Sequence, residues 1–378
     1  MKQLELEPTI TERRRLTRNK IYRYILESRE PVSKQQIAYD LDLSLPTVHQ
    51  NITELLGAGL IRAGEAQKST GGRPPVGYLL EQNMRYAVGV ALTTNHLRFL
   101  VANLKCEQLA YKSVRLEKGD AAGEHLVEEL EIFLNENGIR RDRVLGVGIT
   151  IPGIFDSKTD SIVISPSLNV KNFSLKKMLA GCPYPIYIAN DSTAGGLAEW
   201  LSRNAEERQK SFVYLLLENG VGGSIFLNGQ MYEGDHTRSG EFGHMCIVPG
   251  GRTCNCGKKG CLEAYCGAFR FTRDIGLSIE EFFDGVHAGQ SGLNELWNDV
   301  LEHLAIGIVN LRMAFDCDIV LGGFVSEYIR EYLPRLREMI EERDPLSGKA
   351  DFLSVSNNPN AAMLGASWHF ITDFVDHI

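Results

Sequence analysis

Apolar positions in the first eighty residues recur at helical spacing. Within residues 13–28, Leu16, Ile21, Tyr24 and Ile25 fall near one face, and Pro31 then breaks the pattern. Ser33 stands as an N-cap before KQQIAYDL, whose Ile37, Ala38 and Leu41 should face inward. Ser44 caps a third run, with Pro46 in its first turn, and both suit a helix start. Val48, Ile52, Leu55 and Leu56 form its apolar stripe, and Gly57 and Gly59 end it. Three short helices with a tight second turn predict a helix-turn-helix, whose third helix enters the major groove by its N-terminal residues. Ser44, Thr47, His49, Gln50 and Asn51 sit at that start and are the candidate DNA contacts. Gln and Asn side chains can bond bidentately to adenine. A generic three-helix bundle without nucleic acid would show the same pattern.

Leu60–Ile61 and Tyr78–Leu80 read as the strands of a wing. Between them Gly71 and Gly72 allow close backbone approach, and Arg73 precedes two prolines. Gly72 and Arg73 therefore join the DNA candidates, since an arginine on such a loop suits a narrow minor groove. Gly and Pro also punctuate interdomain linkers, and the two roles are compatible.

From Tyr86 the pattern turns to strands: YAVGVAL, HLRFLVANL and QLAYKSVRL, then a helical stretch over 121–136. VLGVGIT ends at Ile151-Pro152-Gly153, and PIYIAN ends at Asn190-Asp191 with a helix starting at once. A second strand group, FVYLLL and GGSIFLNG, opens at 212. Helices are expected near 269–275, 278–288, 294–315, 325–342 and 361–376, with a strand at CDIVLGG. Periodicity alone supports an α/β body, possible in duplicated form. The expected division is 1–82 for the DNA-binding arm, 83–190 for a first lobe and 191–378 for a second.

Composition changes this picture in two places. The net charge is −8, yet residues 1–80 carry 12 Lys/Arg against 9 Asp/Glu, leaving −11 on the remainder. A basic front on an acidic body fits a nucleic-acid module joined to something else. No apolar run approaches the ~18 residues of a membrane span, and the leading residues lack an apolar signal core. A cytoplasmic protein with no membrane partner is expected.

The second place is the cysteines. Residues 240–263, GEFGHMCIVPGGRTCNCGKKGCLE, hold His244, Cys254, Cys256 and Cys261. Three thiols and an imidazole are the ligand set of a closed tetrahedral zinc site, which leaves no position for a catalytic water. The zinc is therefore expected to be structural, and reduced, metal-free cysteines are the alternative. Glu241 and Glu263 flank the knot. Cys106, Cys182, Cys246, Cys266 and Cys317 have no such grouping and read as packing residues.

These segments carry a resemblance to the ROK family (repressor, open reading frame, kinase). The matching pieces are GITIPG at 148–153, SPSLN at 165–169, Asn190-Asp191, GVGG at 220–223, GEFGH at 240–244, CNCGKKGCLEAYCG at 254–267 and VLGG at 320–323. Residues 13–80 resemble the DNA-binding arm of the family's repressors, including a GGRP loop. The resemblance implies an actin-like, ribonuclease-H-like duplicated fold behind a winged helix-turn-helix. It implies a sugar site at Asn169, Asn190, Asp191, Glu241, His244 and Glu263, lined by Gly153. His244 would turn one ring nitrogen to zinc and the other toward the sugar, and Asp191 matches the kinases' general base. The family's kinases begin with a DxGGT run, but this chain reads Ala91-Leu92-Thr93-Thr94-Asn95. Their GTGxGG loop is here Glu218-Asn219-Gly220-Val221-Gly222-Gly223, and Phe324 follows VLGG. Without that acid and those glycines, magnesium and phosphate lose their holders. The expectation is a sugar-responsive regulator, a repressor with a degenerate kinase body, acting on an operator duplex as a homodimer or dimer of dimers. The effector would be an unphosphorylated sugar, because Asp191 would repel a 6-phosphate. An active sugar kinase with an accessory DNA-binding arm is the alternative.

Overall fold

The structure is a computed structural model that describes residues 9–66, 76–93, 96–116, 125–156, 161–165, 168, 170–174, 179, 181–236, 238–346 and 348–378. The Gly71–Arg73 loop, Asn169, Thr94-Asn95 and the 121–124 start of the expected helix lie outside these residues.

The arm runs α1 (Ile10–Glu27), β1 (Val32–Ser33), α2 (Lys34–Asp40), α3 (Leu45–Gly57), β2 (Ile61–Ala66) and β3 (Val76–Leu80). Ser33 Oγ accepts from Gln36 N and Ser44 Oγ from Thr47 N, so both serines cap as expected. The strands pair in the order β1-β3-β2, a winged helix-turn-helix arrangement. Ile21, Ile25, Ile37, Val48, Ile52 and Leu55 are buried, together with Tyr22, which the spacing did not select. Leu16 and Leu56 instead face solvent. Leu56 falls outside the arc of α3 that carries Val48, Asn51, Ile52 and Leu55.

The body has two sheets built alike. The first comprises β4 (Tyr86–Leu92), β5 (His96–Asn103), β6 (Gln108–Arg115), β7 (Val144–Ile151) and β11 (Ile186–Asn190), with helices α4 (Leu126–Glu136) and α5 (Asp191–Ser202). A side sheet holds β8 (Ile154–Asp156), β9 (Ser161–Ser165) and β10 (Val170–Ser174). The second comprises β12 (Phe212–Leu217), β13 (Val221–Leu227), β14 (Gln230–Met231), β15 (Asp318–Gly322) and β16 (Leu353–Val355). Around it lie α6 (Glu263–Cys266), α7 (Ile279–His287), α8 (Ser291–Phe315), α9 (Phe324–Glu341) and α10 (Ala361–Asp376). The orders are β6-β5-β4-β7-β11 and β14-β13-β12-β15-β16. In each, an antiparallel meander is extended by two parallel strands. That is the duplication the strand groups suggested.

Two expectations fail. Residues 269–275 do not form an α-helix: a short 3-10 stretch covers Ala268–Phe271, and Thr272 O then accepts from Ile275, Gly276 and Leu277. Phe271 is drawn into the aromatic core with Phe282, Phe283 and Trp297, which turns the chain away from a helical path. The division at 191–378 also misplaces α10. That helix packs on β4 and β7 of the first sheet and on α5, which in turn packs on β12 and β13 of the second. Gly89 and Gly148 make room for it: a Cβ at either would sit 2.3 Å from a backbone oxygen of α10. No helix among the described residues is long and apolar enough to cross a membrane.

Candidate ligand and metal site

The knot begins at a 3-10 turn, Phe242–His244. Isolated backbone β-bridges pair Cys246 with Cys261 and Thr253 with Lys259 and fold the following loop on itself. Gly260 (φ 85°) enables the fold, because a Cβ there would meet Val248 O at 1.9 Å. Around this loop the ligand atoms of His244, Cys254, Cys256 and Cys261 all lie within 4.8 Å of one another. Cys256 and Cys261 sulfurs are 3.8 Å apart, and His244 Nδ1 is 3.9 Å from Cys254 Sγ. A tetrahedral ion with bonds of ~2.3 Å separates its sulfurs by about 3.8 Å, so the donors fit such an ion. Burial raises the Cys254 and Cys261 thiols, while at Cys256 burial is outweighed by bonds from the Lys258 amide and its neighbouring thiols. Cys246 is exposed beside the knot, contrary to its reading as a packing residue, whereas Cys266 and Cys317 are buried.

Both flanking acids lie against this loop, and Glu263 is bonded to it. His244 turns Nδ1 to the thiols and Nε2 to Glu241, whose Oε2 lies 3.9 Å away. Glu263 opens α6. Its Oε1 is 3.5 Å from Cys254 Sγ, and its Oε2 accepts from Val221 N at 3.2 Å. The glycine loop 220–223 is thereby tied to the knot. A Cβ on Gly220 would strike Glu263 Oε2 at 2.6 Å, and one on Gly223 would strike Phe242.

Asn190 and Asp191 face this assembly from the first lobe. Asn190 caps α5: its Oδ1 accepts from Thr193 N and from Ser192 Oγ. Its Nδ2 donates to Gly153 O at 3.1 Å, which joins two of the expected site positions. Asp191 follows as the first helical residue, with Oδ1 accepting from Ser192 N. Burial, then the charges of Glu218 and Glu241, push its carboxyl up to about 8. Ser192 Oγ also lies 3.0 Å from Gly223 O, so the two lobes meet here.

The opposite side of the cleft differs. Glu218 ends β12, and burial raises its carboxyl against the lowering charge of Arg98. Arg98 comes from β5 in the first lobe and lies 5.8 Å from the Phe324 ring centroid in the second. Gly323 (φ 82°) packs against Leu217 O and Glu218 Cγ. Arg98 escaped the sequence reading. Its one signal was a charged residue between two strongly apolar ones in an otherwise buried strand.

In the arm, His49 and Gln50 are exposed on α3, and Ser44 Oγ and Thr47 Oγ1 are 2.7 Å apart at its start. Asn51 does not share their exposure. It is 8% exposed and donates to Thr47 O, one helical turn back, so its amide is turned inward.

The ROK family pattern matches residues 87–373. The chain belongs to the ROK family. Relatives extend into the arm as well. The xylose repressor of Bacillus subtilis strain 168 is 26% identical over 361 residues, covering 92% of this chain and 93% of its own. The DNA-binding transcriptional dual regulator NagC of Escherichia coli K12 is 26% identical over 85% of this chain and 83% of its own. Among solved structures, a ROK family transcriptional regulator, a homologue of the E. coli MLC protein, superposes with a TM-score of 0.72 at 23% identity. It covers 96% of this chain and 97% of its own length. A ROK hexokinase from Thermus thermophilus (TM-score 0.59, 28% identity) covers 76% of this chain and 99% of its own. The ROK body is thus common to regulators and kinases.

Proposed function

We propose that this chain is a sugar-responsive transcriptional regulator, a repressor whose kinase-like body senses a sugar without phosphorylating it. The observation that carries this is the asymmetry of the cleft. Acids are braced around Gly153, Asn190 and Asp191 on one side, while Glu218, Arg98 and Phe324 stand where the family's kinases hold nucleotide. The glycines at 220–223 need no phosphate to explain them, because they pack against Glu263, Ser192 and Phe242. Hydroxyls both donate and accept, so carboxylates and amides suit a sugar ring. The sugar-facing set is Asn169, Asn190, Asp191, Glu241, His244 and Glu263 with Gly153.

The metal is zinc, held by His244, Cys254, Cys256 and Cys261. With all four positions taken by protein it is structural, and it holds Glu241 and Glu263 in place. The winged arm reads an operator duplex through Ser44, Thr47, His49 and Gln50, with Gly72 and Arg73 at the wing. The inward turn of Asn51 argues against a direct base contact from that residue. The repressor names of the full-length relatives support the same reading. A homodimer or dimer of dimers would carry two arms onto related half-sites. The effector is an unphosphorylated sugar: the raised Asp191 carboxyl keeps its proton near neutral pH, so repulsion of a phosphate falls to the neighbouring carboxylates of Glu241 and Glu263.

The test combines two titrations. A panel of free and phosphorylated pentoses and hexoses is screened for thermal stabilisation. The sugar that stabilises most is then added to the protein–operator complex at fixed salt. One free sugar should stabilise the protein and shift operator affinity. By linkage an inducer binds the DNA-free form more tightly, and a co-repressor shows the reverse. ADP release with any of these sugars would overturn the non-catalytic reading.

A further inference from the structure

The first residue of α2 touches the exposed face of α3. Lys34 Nζ lies 2.8 Å from His49 Nδ1. An ammonium only donates, so Nδ1 must be the accepting nitrogen, and a neutral ring then carries its proton on Nε2. Lys34 is itself seated: its Nζ lies 5.5 Å from the centroid of Tyr78, a buried residue of the wing strand β3. One ammonium therefore ties together α2, the wing and α3. The neighbouring Gln50 is tethered differently. Its Nε2 donates to Glu54 Oε1 at 3.2 Å, and Arg18 of α1 holds the other oxygen of Glu54 at 3.1 Å.

We propose that Lys34 is a positioning residue for base reading: it holds His49 as an Nε2–H donor facing the major groove. The inference rests on the DNA-binding reading above. In that groove guanine O6 and N7, adenine N7 and thymine O4 accept, while cytosine N4 and adenine N6 donate. A fixed donor at His49 therefore favours guanine or thymine and disfavours cytosine at one half-site position. Lys34 acts on specificity without itself reaching a base edge.

The experiment selects duplexes from a randomised library with full-length wild type, Lys34→Met, Lys34→Arg, His49→Ala and the Lys34→Met/His49→Ala double variant, at fixed salt. Melting temperatures check that each variant is folded. Wild type should select a half-site in which one position excludes cytosine. Lys34→Met should lower discrimination there by about tenfold, and Lys34→Arg, which keeps the donor, should stay within about twofold of wild type. His49→Ala should erase the same preference, and the double variant should lose nothing further. If Lys34→Met weakens all sequences alike, with a shallower salt dependence and an unmoved base profile, Lys34 is only a phosphate contact and the proposal falls. A wild-type protein that selects no sequence would overturn the DNA-binding reading as well. An intact motif with an unmoved Lys34→Met profile overturns the role of Lys34 alone.

Discussion

The two sides of the cleft solve opposite problems. On the knot side, Glu263 spans Cys254 and the Val221 amide, and Glu241 stands beside His244. On the other side, Arg98 reaches from the first lobe to Phe324 in the second, and Glu218 lies within range of its charge. On this side the two lobes are linked by the chain's own side chains. A glycine-rich loop is therefore poor evidence for phosphate binding until its packing is known. Here Gly220 and Gly223 are required by a carboxylate and a phenyl ring.

The largest expected effect comes from dismantling the knot. Cys256→Ser, or exhaustive chelation, should lower the melting temperature by about 5–10 °C, because metal affinity is folding free energy at a closed site. It should also abolish stabilisation by sugar. Unchanged melting and sugar binding would break the contrast at its strong side.

Asp191 gives the next effect, and its sign depends on pH. Burial and Glu218 raise its carboxyl from 3.8 to about 8. Below pH 4 the group is protonated whether the chain is folded or not, and it costs nothing. Between pH 4 and 8 the unfolded chain ionises first, so the folded state loses stability progressively. Asp191→Asn should leave melting unchanged near pH 4 and stabilise the unliganded protein near pH 8, by on the order of 2 kcal/mol. A difference that stays flat across this range would refute the buried-carboxyl account.

The smallest effect is expected from nucleotide. Millimolar Mg-ATP should move the melting temperature by under about 1 °C, because a ligand stabilises only in proportion to its binding. A shift of several degrees would show that Arg98 and Phe324 leave the groove open.

Much of this was legible in local patterns. Ser33 and Ser44 cap as read, since a cap involves residues only three apart. All four metal donors were legible because eighteen consecutive residues contain them. The inward turn of Asn51 was not legible because its partner, the Thr47 carbonyl, is a backbone group that residue type does not advertise. Arg98 was missed because its counterpart Phe324 belongs to the other lobe.

By itself the sequence determined the helix caps, the strand groups and the donor set of the knot. These depend on neighbours within a turn, a strand or a single loop. Only the tertiary structure decided where α10 belongs and how the arm meets the body. Arg15 and Asn19 of α1 both donate to the carbonyl of Asp376, more than 350 residues away, and Arg23 pairs with its carboxylate. One hydrophobic cluster runs from Ile21 and Tyr22 of the arm to Ile371 and Val375 of α10. Helical periodicity reports that a face is apolar. Which distant face will cover it depends on the packing of the whole chain, and that choice joins the DNA arm to the lobe that carries Asn190 and Asp191.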